Sequence, residues 1–297
     1  MNVAARESTR GTQLFDEPMS KHTSWRLGGP ADRYYVPANL QDLQQFLAGL
    51  EDDIELIWVG LGSNMLVRDG GIRGQVIAPL GALKQIHLQD DGSVYAECGI
   101  SCSKLARFCH RQGLAGADFF AGIPGTVGGA LTMNAGAFGG ETWAAVRRVT
   151  MIDRHGNLVE REPREFDIGY RHVVVPRAEW FVAAVFDFEA RGESEESNIK
   201  QLLQQRNATQ PIGLPSCGSV FKNPPGKHAA QLIEAAGLKG FCLGSACVSD
   251  KHANFIISNE NTSASDVEAL IEHIRHAVAE RFDVELETEV RILGEPA

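Results

Sequence analysis

Three stretches of the chain carry side chains of the kinds that take part in chemistry. They are the pair Tyr170-Arg171, the run SCGSVFKNP at 216–224, and Glu289 within DVELETEVRIL at 283–293. An arginine can bind an anion, a serine can donate a proton, and a glutamate can share one. Each residue also has an ordinary structural interpretation: a surface ion pair for Arg171, a turn for Ser219, and a row of solvated acids for Glu289.

Several classes of site are missing from these stretches and from the rest of the chain. Gly218-Ser219 continues into Val220-Phe221, so the Gly-x-Ser-x-Gly turn of many hydrolases is absent. There is no CxxC pair and no Cys/His spacing typical of zinc. The six cysteines are therefore predicted to be reduced thiols, mostly buried: Cys98, Cys102, Cys109, Cys217, Cys242 and Cys247.

A first glycine-rich segment, GLGSNM at 60–65, follows a predicted strand at 54–59. The dinucleotide fingerprint GxGxxG fails because its third glycine is Met65, and Asp69-Gly70-Gly71 forces another turn where a helix would begin. A Rossmann domain is therefore not expected. What remains is a turn with unshielded backbone N–H groups, which either binds phosphate or is simply tight.

A second segment, AGIPGTVGGALTMNAGAFGG at 121–140, contains seven glycines and no charged residue. A flexible linker would be richer in serine, glutamine and charge. An apolar, uncharged and glycine-rich stretch favours backbone packed against something flat or phosphorylated. A flavin or another dinucleotide fits this pattern, and a close-packed loop between domains is the alternative. The ATP-binding pattern GxxxxGK[ST] is absent.

Periodicity and capping residues predict a mixture of helices and strands. Helices are predicted at 40–50, 101–113, from about 199 to 206, at 228–236 and at 265–281; strands are predicted at 54–59, 146–153, 157–162, 180–189 and 283–293. Residues 1–20 are predicted to be a loose polar lead-in. The acidic stretch 191–198 and the prolines beyond it place a domain boundary near 208. These elements indicate an α+β chain of more than one domain.

The composition and net charge limit the classes of partner that the chain is expected to bind. The 297 residues include 28 Lys and Arg and 38 Asp and Glu, for a net charge of −10. An acidic chain is not expected to bind nucleic acid, although a local basic pocket for a small anion stays open. No stretch approaches the roughly 18 apolar residues of a membrane span, and the first 22 residues lack the apolar run of a signal peptide. We therefore expect a soluble, cytoplasmic protein.

Taken in order, the motifs resemble the UDP-N-acetylenolpyruvoylglucosamine reductases (MurB), flavoenzymes of peptidoglycan synthesis. The segments that carry the resemblance are GLGSN at 60–64, GIPGTVGGALTMNAGA at 122–137, Tyr170-Arg171, GSVFKNP at 218–224, SDKHANFI at 249–256 and LETEVR at 286–291. The resemblance covers nearly the whole chain, from about residue 20 to 294, and GIPGTVGGA is its most specific string.

The resemblance implies an α+β fold of the vanillyl-alcohol-oxidase (PCMH-like) FAD-binding type, with two subdomains and a separate α+β substrate-binding domain. The implied domains are 1–80 for the first subdomain, 81–208 completed by 286–297 for the second, and 209–285 for the substrate-binding domain. The implied activity is NADPH-dependent reduction of UDP-N-acetyl-3-O-(1-carboxyvinyl)-glucosamine to UDP-N-acetylmuramate. The implied cofactor is non-covalently bound FAD, the partners are NADPH and the UDP-sugar, and the chain is expected to be a monomer.

The resemblance also implies roles for individual residues. Arg171 and Glu289 would bind the substrate carboxylate, and Ser219 would protonate the carbanion. The implied cofactor-binding residues are Gly60, Leu61, Gly62, Ser63, Asn64, Met65, Gly122, Ile123, Pro124, Gly125, Thr126, Gly128, Gly129, Met133, Asn134 and Arg291. The implied substrate-binding residues are Tyr170, Lys222, Asn223 and His252.

The chain departs from the family pattern in two places. His172 follows Arg171 where a serine is usual nearby, and only about 45 residues separate Arg171 from Ser216, so the insertion that carries a substrate-clamping tyrosine in one branch is missing. The chain thus resembles the shorter branch. Two other functions stay open: a flavin oxidase with Cys98, Cys102 or His110 bonded to the flavin, and a non-catalytic module that binds FAD or a nucleotide sugar.

Overall fold

A computed structural model describes residues 10–192 and 199–297 of the chain. Most of the acidic break at 191–198 lies outside these residues. The chain divides into two compact units, one comprising 1–15, 33–60 and 74–202, the other 16–32, 61–73 and 203–297. The three-part division implied by the resemblance stays a prediction.

The secondary structure is mixed along both units, with strands more numerous than helices in the part described. The strands are β1 Thr12–Pro18, β2 Pro30–Val36, β3 Leu56–Trp58, β4 Met65–Val67, β5 Ile72–Ile77, β6 Ile86–Leu88, β7 Val94–Glu97, β8 Leu114–Ala115, β9 Gly136–Ala137, β10 Gly140–Glu141, β11 Val146–Asp153, β12 Leu158–Arg161, β13 Asp167–Gly169, β14 His172–Val174, β15 Glu179–Phe186, β16 Glu189–Ala190, β17 Cys242–Leu243, β18 Ala246–Val248, β19 Ile256–Ile257 and β20 Arg291–Leu293. The helices are α1 Leu40–Ala48, α2 Cys102–Arg111, α3 Val127–Met133, α4 Ile199–Thr209, α5 Ala229–Ala235 and α6 Ala264–Phe282.

The first unit is built on a five-stranded antiparallel sheet of order β12-β11-β15-β7-β6. Helices α2 and α3 supply buried residues to the same core, including Leu105 and Leu131, which are fully buried beside Phe120 and Phe186. A four-stranded sheet has the order β1-β2-β5-β3, with β3 parallel to β5. Helix α3 lies within the second glycine-rich segment, 121–140, and packs against β15 of this sheet.

The second unit packs α5 and α6 over short strands. The apolar face of α6 carries Val267, Leu270, Ile271, Ile274 and Val278, all buried, and the helix begins with a capping box between Ser263 and Asp266. Strands β17, β18 and β19 form an antiparallel sheet, and β20 runs parallel to β4. Trp25 completes this core, and its indole N–H donates to the Ile256 carbonyl at 2.8 Å.

Most predicted elements are confirmed with small shifts of their ends. The predicted helices at 40–50 and 101–113 form as α1 and α2, capped by Asn39 and Ser101, and the predicted strands at 146–153 and 157–162 pair as β11 and β12. The loose lead-in is wrong for 12–18, which form β1. The long strand at 283–293 is reduced to β20 and one bridge between Phe221 and Thr288, although its alternating burial is kept at Leu286 and Val290.

The cysteine prediction is wrong for one pair. Cys242 and Cys247 lie directly opposite each other in the β17–β18 pairing and form a disulfide, with Cα atoms 4.1 Å apart. Local hairpin pairing brings them together, which their five-residue spacing did not reveal. The other four cysteines are free and buried. No helix in the described part of the chain is long and apolar enough to cross a membrane.

Candidate active site

Residues 61–65 of the first glycine-rich segment form a turn in the second unit. The amides of Leu61, Gly62, Ser63 and Asn64 donate no hydrogen bond to any residue that the structure describes. Gly62 has φ +63°, and a Cβ there would lie 1.9 Å from the His22 carbonyl oxygen. Successive unshared N–H groups in such a turn are suited to an anion.

This turn is joined to the candidate catalytic residues by backbone pairing. The Asn64 side-chain amide donates to the Glu289 carbonyl at 3.0 Å, and the Glu289 N–H donates to the Val220 carbonyl at 2.8 Å. The Arg291 N–H donates to the Asn64 carbonyl at 3.1 Å, with β20 beside β4. Three segments that are distant in sequence, around residues 64, 220 and 290, therefore lie side by side.

Asn254 fixes the segment that carries Ser219. Its side chain is 4% exposed; its Oδ1 accepts from the Phe221 N–H at 3.0 Å and its Nδ2 donates to the Phe221 carbonyl at 2.8 Å. The Val220 N–H donates to the Asn254 carbonyl at 2.9 Å. The amide thus replaces a missing strand partner. Ser219 is half-buried, and its hydroxyl makes no hydrogen bond with the described residues.

Cys217, two residues before Ser219, differs sharply from it. The thiol is 4% exposed, and burial, with the Glu289 charge nearby, raises its pKa well above the ordinary value. A thiol held in its neutral form is neither a nucleophile nor a metal ligand. No group of three His, Cys, Asp or Glu side chains in the described residues is arranged to hold a metal ion.

The expected substrate-binding residues of the second unit are already engaged with protein groups. Lys222 pairs with the exposed Glu287, and the Asn223 side-chain oxygen accepts from the Ala229 N–H at 3.0 Å at the start of α5. His252 accepts from the Asn254 N–H through Nδ1 at 3.3 Å. Burial lowers the pKa of His252, and Lys239 adds to this effect, which favours the neutral ring.

In the first unit, the second glycine-rich segment forms α3, a helix that the sequence analysis did not predict. Thr126 caps it, accepting from the Gly129 N–H at 3.3 Å. The Val127 and Gly128 N–H groups donate to the carbonyls of Ile100 and Cys98. These two amides are satisfied within the protein. The segment would therefore contact a ligand mainly through its closely packed surface of small residues and not through free N–H donors.

The glycines of this segment differ in whether the surrounding protein leaves room for a side chain. A Cβ on Gly122 would lie 2.3 Å from the Phe138 ring, and one on Gly128 would lie 2.9 Å from the Cys98 Cβ, so internal packing requires both. Gly129 is exposed, and a Cβ there would meet no described atom closer than the Thr126 Oγ1 at 3.7 Å. A Cβ on Gly60 would lie 2.6 Å from that same oxygen, which brings the start of the first segment against α3.

Tyr170 and Arg171 form the two-residue tip of the β13–β14 hairpin, beyond the last pair, Gly169 and His172. Arg171 has φ +53°, a left-handed conformation that costs energy for a residue with a side chain. Its guanidinium donates to the carbonyls of Asn134 at 3.3 Å and Gly136 at 3.0 Å. It also lies 5.1 Å from the centre of the half-exposed Tyr170 ring.

The remaining expected cofactor-binding residues vary in exposure. Met65 and Ile123 are buried, Met133 is partly buried, and Leu61 and Pro124 are exposed. Asn134 is 2% exposed and uses its side-chain amide entirely inside the protein. Sequence reasoning missed Asn254; its only signal was an asparagine, unmatched to any pattern, inside the SDKHANFI stretch.

Comparison with known proteins shows which families the sequence matches. Residues 31–161 match a family model described as FAD binding domain, and residues 210–293 match one described as UDP-N-acetylenolpyruvoylglucosamine reductase, C-terminal domain. The UDP-N-acetylenolpyruvoylglucosamine reductase of Alkalilimnicola ehrlichii is 57% identical over 99% of both chains. That of Methylococcus capsulatus is 55% identical over 97% of this chain and 95% of its own.

A solved structure gives the same result for the fold. The crystal structure of UDP-N-acetylenolpyruvylglucosamine reductase (MurB) from Thermus caldophilus matches with a TM-score of 0.81 at 30% identity, covering 95% of this chain and 98% of that one. The predicted FAD-binding α+β fold is therefore confirmed. The identity along nearly the full length of the curated relatives shows that this chain belongs to the UDP-N-acetylenolpyruvoylglucosamine reductase family.

Proposed function

We propose that the chain reduces UDP-N-acetyl-3-O-(1-carboxyvinyl)-glucosamine to UDP-N-acetylmuramate with NADPH, a step in making peptidoglycan precursors. It is an FAD-containing oxidoreductase by its family. The observation that carries the proposal is the backbone pairing that sets the anion-suited turn at Leu61–Asn64 beside Ser219 and Glu289. We further propose a cytoplasmic monomer that binds neither nucleic acid nor membrane.

Each unit, taken by itself, contains residues that suit part of FAD. The unshared N–H groups of Leu61–Asn64 would hold its diphosphate, with Arg291 on the adjacent strand. Gly60, Thr126 and the exposed Gly129 offer a surface without bulk against which a flat ring or a phosphate can lie. The other expected cofactor-binding residues, Met65, Gly122–Gly125, Gly128 and Met133, would support these two surfaces.

When bound, FAD supplies hydride transfer from NADPH to the terminal vinyl carbon of the substrate. That transfer leaves negative charge on the adjacent carbon and on its carboxylate. Arg171 would bind the carboxylate and stabilise this charge, and a well-placed donor of this kind contributes about 3–4 kcal/mol to the transition state. Glu289 would assist only while it carries or shares a proton, because two carboxylates repel.

Ser219 would complete the reaction by protonating the carbanion carbon. Serine is a weak acid, but the carbon it serves is a strong base, so a positioned hydroxyl is sufficient. Two observations support this role. The Ser219 hydroxyl has no hydrogen-bonding partner among the described residues, and Asn254 and Glu289 hold the backbone of the next two residues, Val220 and Phe221, from both sides. Protonation at this carbon yields the saturated lactyl ether of the product.

Tyr170, Lys222, Asn223 and His252 would contact the rest of the substrate. A neutral His252 ring would act as a hydrogen-bonding group and not as a cation. Lys222 would contribute charge after giving up the exposed carboxylate of Glu287. An interaction with so exposed an acid is weak, so exchanging it for a diphosphate costs little.

The test is an anaerobic spectrum followed by turnover. Purified protein should show flavin bands near ~370 and ~450 nm that NADPH bleaches and the enolpyruvyl UDP-sugar restores. Bleaching without restoration by that sugar would contradict the proposed substrate. Acid precipitation should release all the flavin, because Cys98 and Cys102 are buried and burial raises the pKa of both thiols, to about 12 for Cys102. Flavin retained in the pellet would instead favour a covalent oxidase.

A further inference from the structure

The buried residue Asn134 contacts the hairpin tip that carries Arg171. The Nδ2 of Asn134 donates to the Gly169 carbonyl at 3.0 Å and to Glu141 Oε2 at 3.0 Å, while its Oδ1 accepts from the Trp143 N–H at 3.1 Å. The main-chain carbonyl of the same residue accepts from the Arg171 guanidinium. One residue therefore contacts the base of the hairpin tip with its side chain and the end of the Arg171 side chain with its backbone.

The backbone conformation of Asn134 makes this double contact possible. Asn134 ends α3 in the left-handed region, at φ 43° and ψ 51°. Asparagine adopts this region more readily than other residues with side chains. The turn directs the carbonyl of Asn134 and, two residues later, that of Gly136 toward the guanidinium. A side chain at position 136 is blocked because a Cβ would lie 2.4 Å from the Gly140 carbonyl oxygen.

The chemistry of these contacts suits an arginine that must also bind an anion. In these two contacts the guanidinium is oriented by uncharged carbonyl oxygens. The next residue, His172, is exposed, and its ring faces Asp167 with a nitrogen–oxygen distance of 3.7 Å. The left-handed conformation of Arg171 also needs external support, because an isolated hairpin tip would relax away from it.

We infer that Asn134 is a positioning residue for Arg171, and not a cofactor ligand, which fixes the guanidinium for the carboxylate of the substrate. This rests on the proposed contact between Arg171 and that carboxylate. Every polar atom of the Asn134 side chain is satisfied inside the protein, so its amide has no need of a cofactor partner.

The test compares two ligands that differ by the lactyl ether group, which carries the carboxylate. UDP-N-acetylmuramate carries it and UDP-N-acetylglucosamine does not, and calorimetry on the FAD-loaded protein measures both affinities. The wild type should prefer the carboxylate ligand, and Arg171→Ala should abolish that preference. Asn134→Gly keeps the left-handed backbone accessible and keeps the main-chain carbonyl that contacts Arg171, but it removes the side-chain bonds to Gly169, Glu141 and Trp143. It should weaken the carboxylate ligand alone, by about 10- to 100-fold, the range for losing a hydrogen bond between the carboxylate and a guanidinium that is no longer held in place.

A second variant and a double mutant complete the test. Asn134→Asp keeps the volume and the acceptor for Trp143 but removes both donors, and should weaken the same ligand. Asn39→Ala, which removes the cap of α1, is the stability control and should change neither affinity. In the Arg171→Ala background the Asn134→Gly effect should vanish to within about twofold.

Other results would overturn the inference. Equal weakening of both ligands by Asn134→Gly, or an unchanged effect in the Arg171→Ala background, would make Asn134 a structural or cofactor-binding residue. A wild type that prefers the carboxylate ligand through Arg171, with Asn134→Gly and Asn134→Asp unchanged, would reject the inference while keeping the proposed function. A wild type with no preference would reject the role of Arg171 itself.

Discussion

At the scale of single residues, the sharpest prediction concerns Ser219. Ser219→Ala removes only a hydroxyl that has no hydrogen-bonding partner among the described residues, so the fold should be kept. Flavin bleaching by NADPH should proceed at nearly the normal rate. Reoxidation by the enolpyruvyl sugar should slow by about 10²–10⁴-fold, as for a lost general acid. Stopped-flow absorbance of the two half-reactions separates these steps.

Cys217 provides the matched control for Ser219, because it lies two residues away and is buried with its thiol protonated. Cys217→Ala should leave both half-reactions largely intact, while Ser219→Cys should keep part of the activity because a thiol is also a donor. If Ser219→Ala slowed both half-reactions equally, or neither, Ser219 would be an ordinary turn residue.

Gly128 and Gly129 are neighbours that should respond differently to the same substitution. Gly129→Ala places its methyl group no closer than 3.7 Å to the Thr126 Oγ1, an ordinary contact, so stability should be kept while FAD affinity falls by about tenfold or more, equivalent to about 1.4 kcal/mol. Gly128→Ala forces a methyl group against the Cys98 Cβ and should destabilise the protein by about 1–3 kcal/mol. Thermal unfolding and flavin content measure the two effects. Full flavin retention in Gly129→Ala and Gly129→Val would remove Gly129 from the cofactor site.

At the scale of elements, α6 shows how a surface helix is tied to its unit. The Asp69 carboxylate accepts from the Ala264 and Ser265 N–H groups at 2.9 and 3.0 Å, and Arg68 forms a two-pronged ion pair with Glu268. The hydrogen bonds from Arg68 lower the pKa of Glu268 from its ordinary 4.5. A carboxyl whose pKa falls on folding stabilises the protein above its ordinary pKa and loses this contribution as the pH drops below it.

Glu268→Gln should therefore reduce the free energy of unfolding at pH 7, and the difference from wild type should shrink as the pH falls below about 4.5. Urea unfolding at several pH values measures it. Glu272→Gln is the control on the same helix, because its ion pair with Arg275 is more exposed and should contribute little at any pH. A difference that is constant with pH would show that Glu268 acts through packing and not through charge.

The elements also show where sequence reasoning succeeds and where it stops. The starts of α1 and α2 were predictable from the capping residues Asn39 and Ser101. Helix α6 was predictable from the 3.6-residue apolar period along Val267–Val278. Helix α3 was missed because glycines are poor helix formers, and tertiary contacts such as that of Gly128 with Cys98 hold it in place. Residues 283–290 alternate like a strand, but their pairing with the segment around Phe221 is limited to one bridge, Phe221 with Thr288, and the hydrogen bonds that flank it.

At the scale of the whole molecule, motif order identified the family, while the contacts that build the site could not be read from it. Glycines look alike in a sequence, and only geometry separates Gly122 and Gly128, which are needed for packing, from the exposed Gly129. The pairing of Asn64 with Glu289, 225 residues apart, has no local signature. Long-range contacts of this kind are decided by the fold, so they become visible only when it is known.

The two units are each assembled from separated stretches of chain, which leads to a prediction about fragments. Residues 203–297 include the whole match to the reductase C-terminal domain, yet they lack Trp25, whose indole and carbonyl bond to Ile256 and Ser258, and β4, the strand that pairs with β20. They also lack Asp69, which accepts hydrogen bonds at the start of α6.

Expressed alone, this fragment should show no cooperative unfolding transition by circular dichroism. Loss of a buried tryptophan side chain alone costs about 3–5 kcal/mol, and the free energy of unfolding of a whole domain is only about 5–15 kcal/mol. Co-expression with residues 1–202 supplies every missing segment and should restore a transition. A fragment that unfolds cooperatively near the midpoint of the full chain would show that residues 203–297 fold without the segments contributed from 16–32 and 61–73.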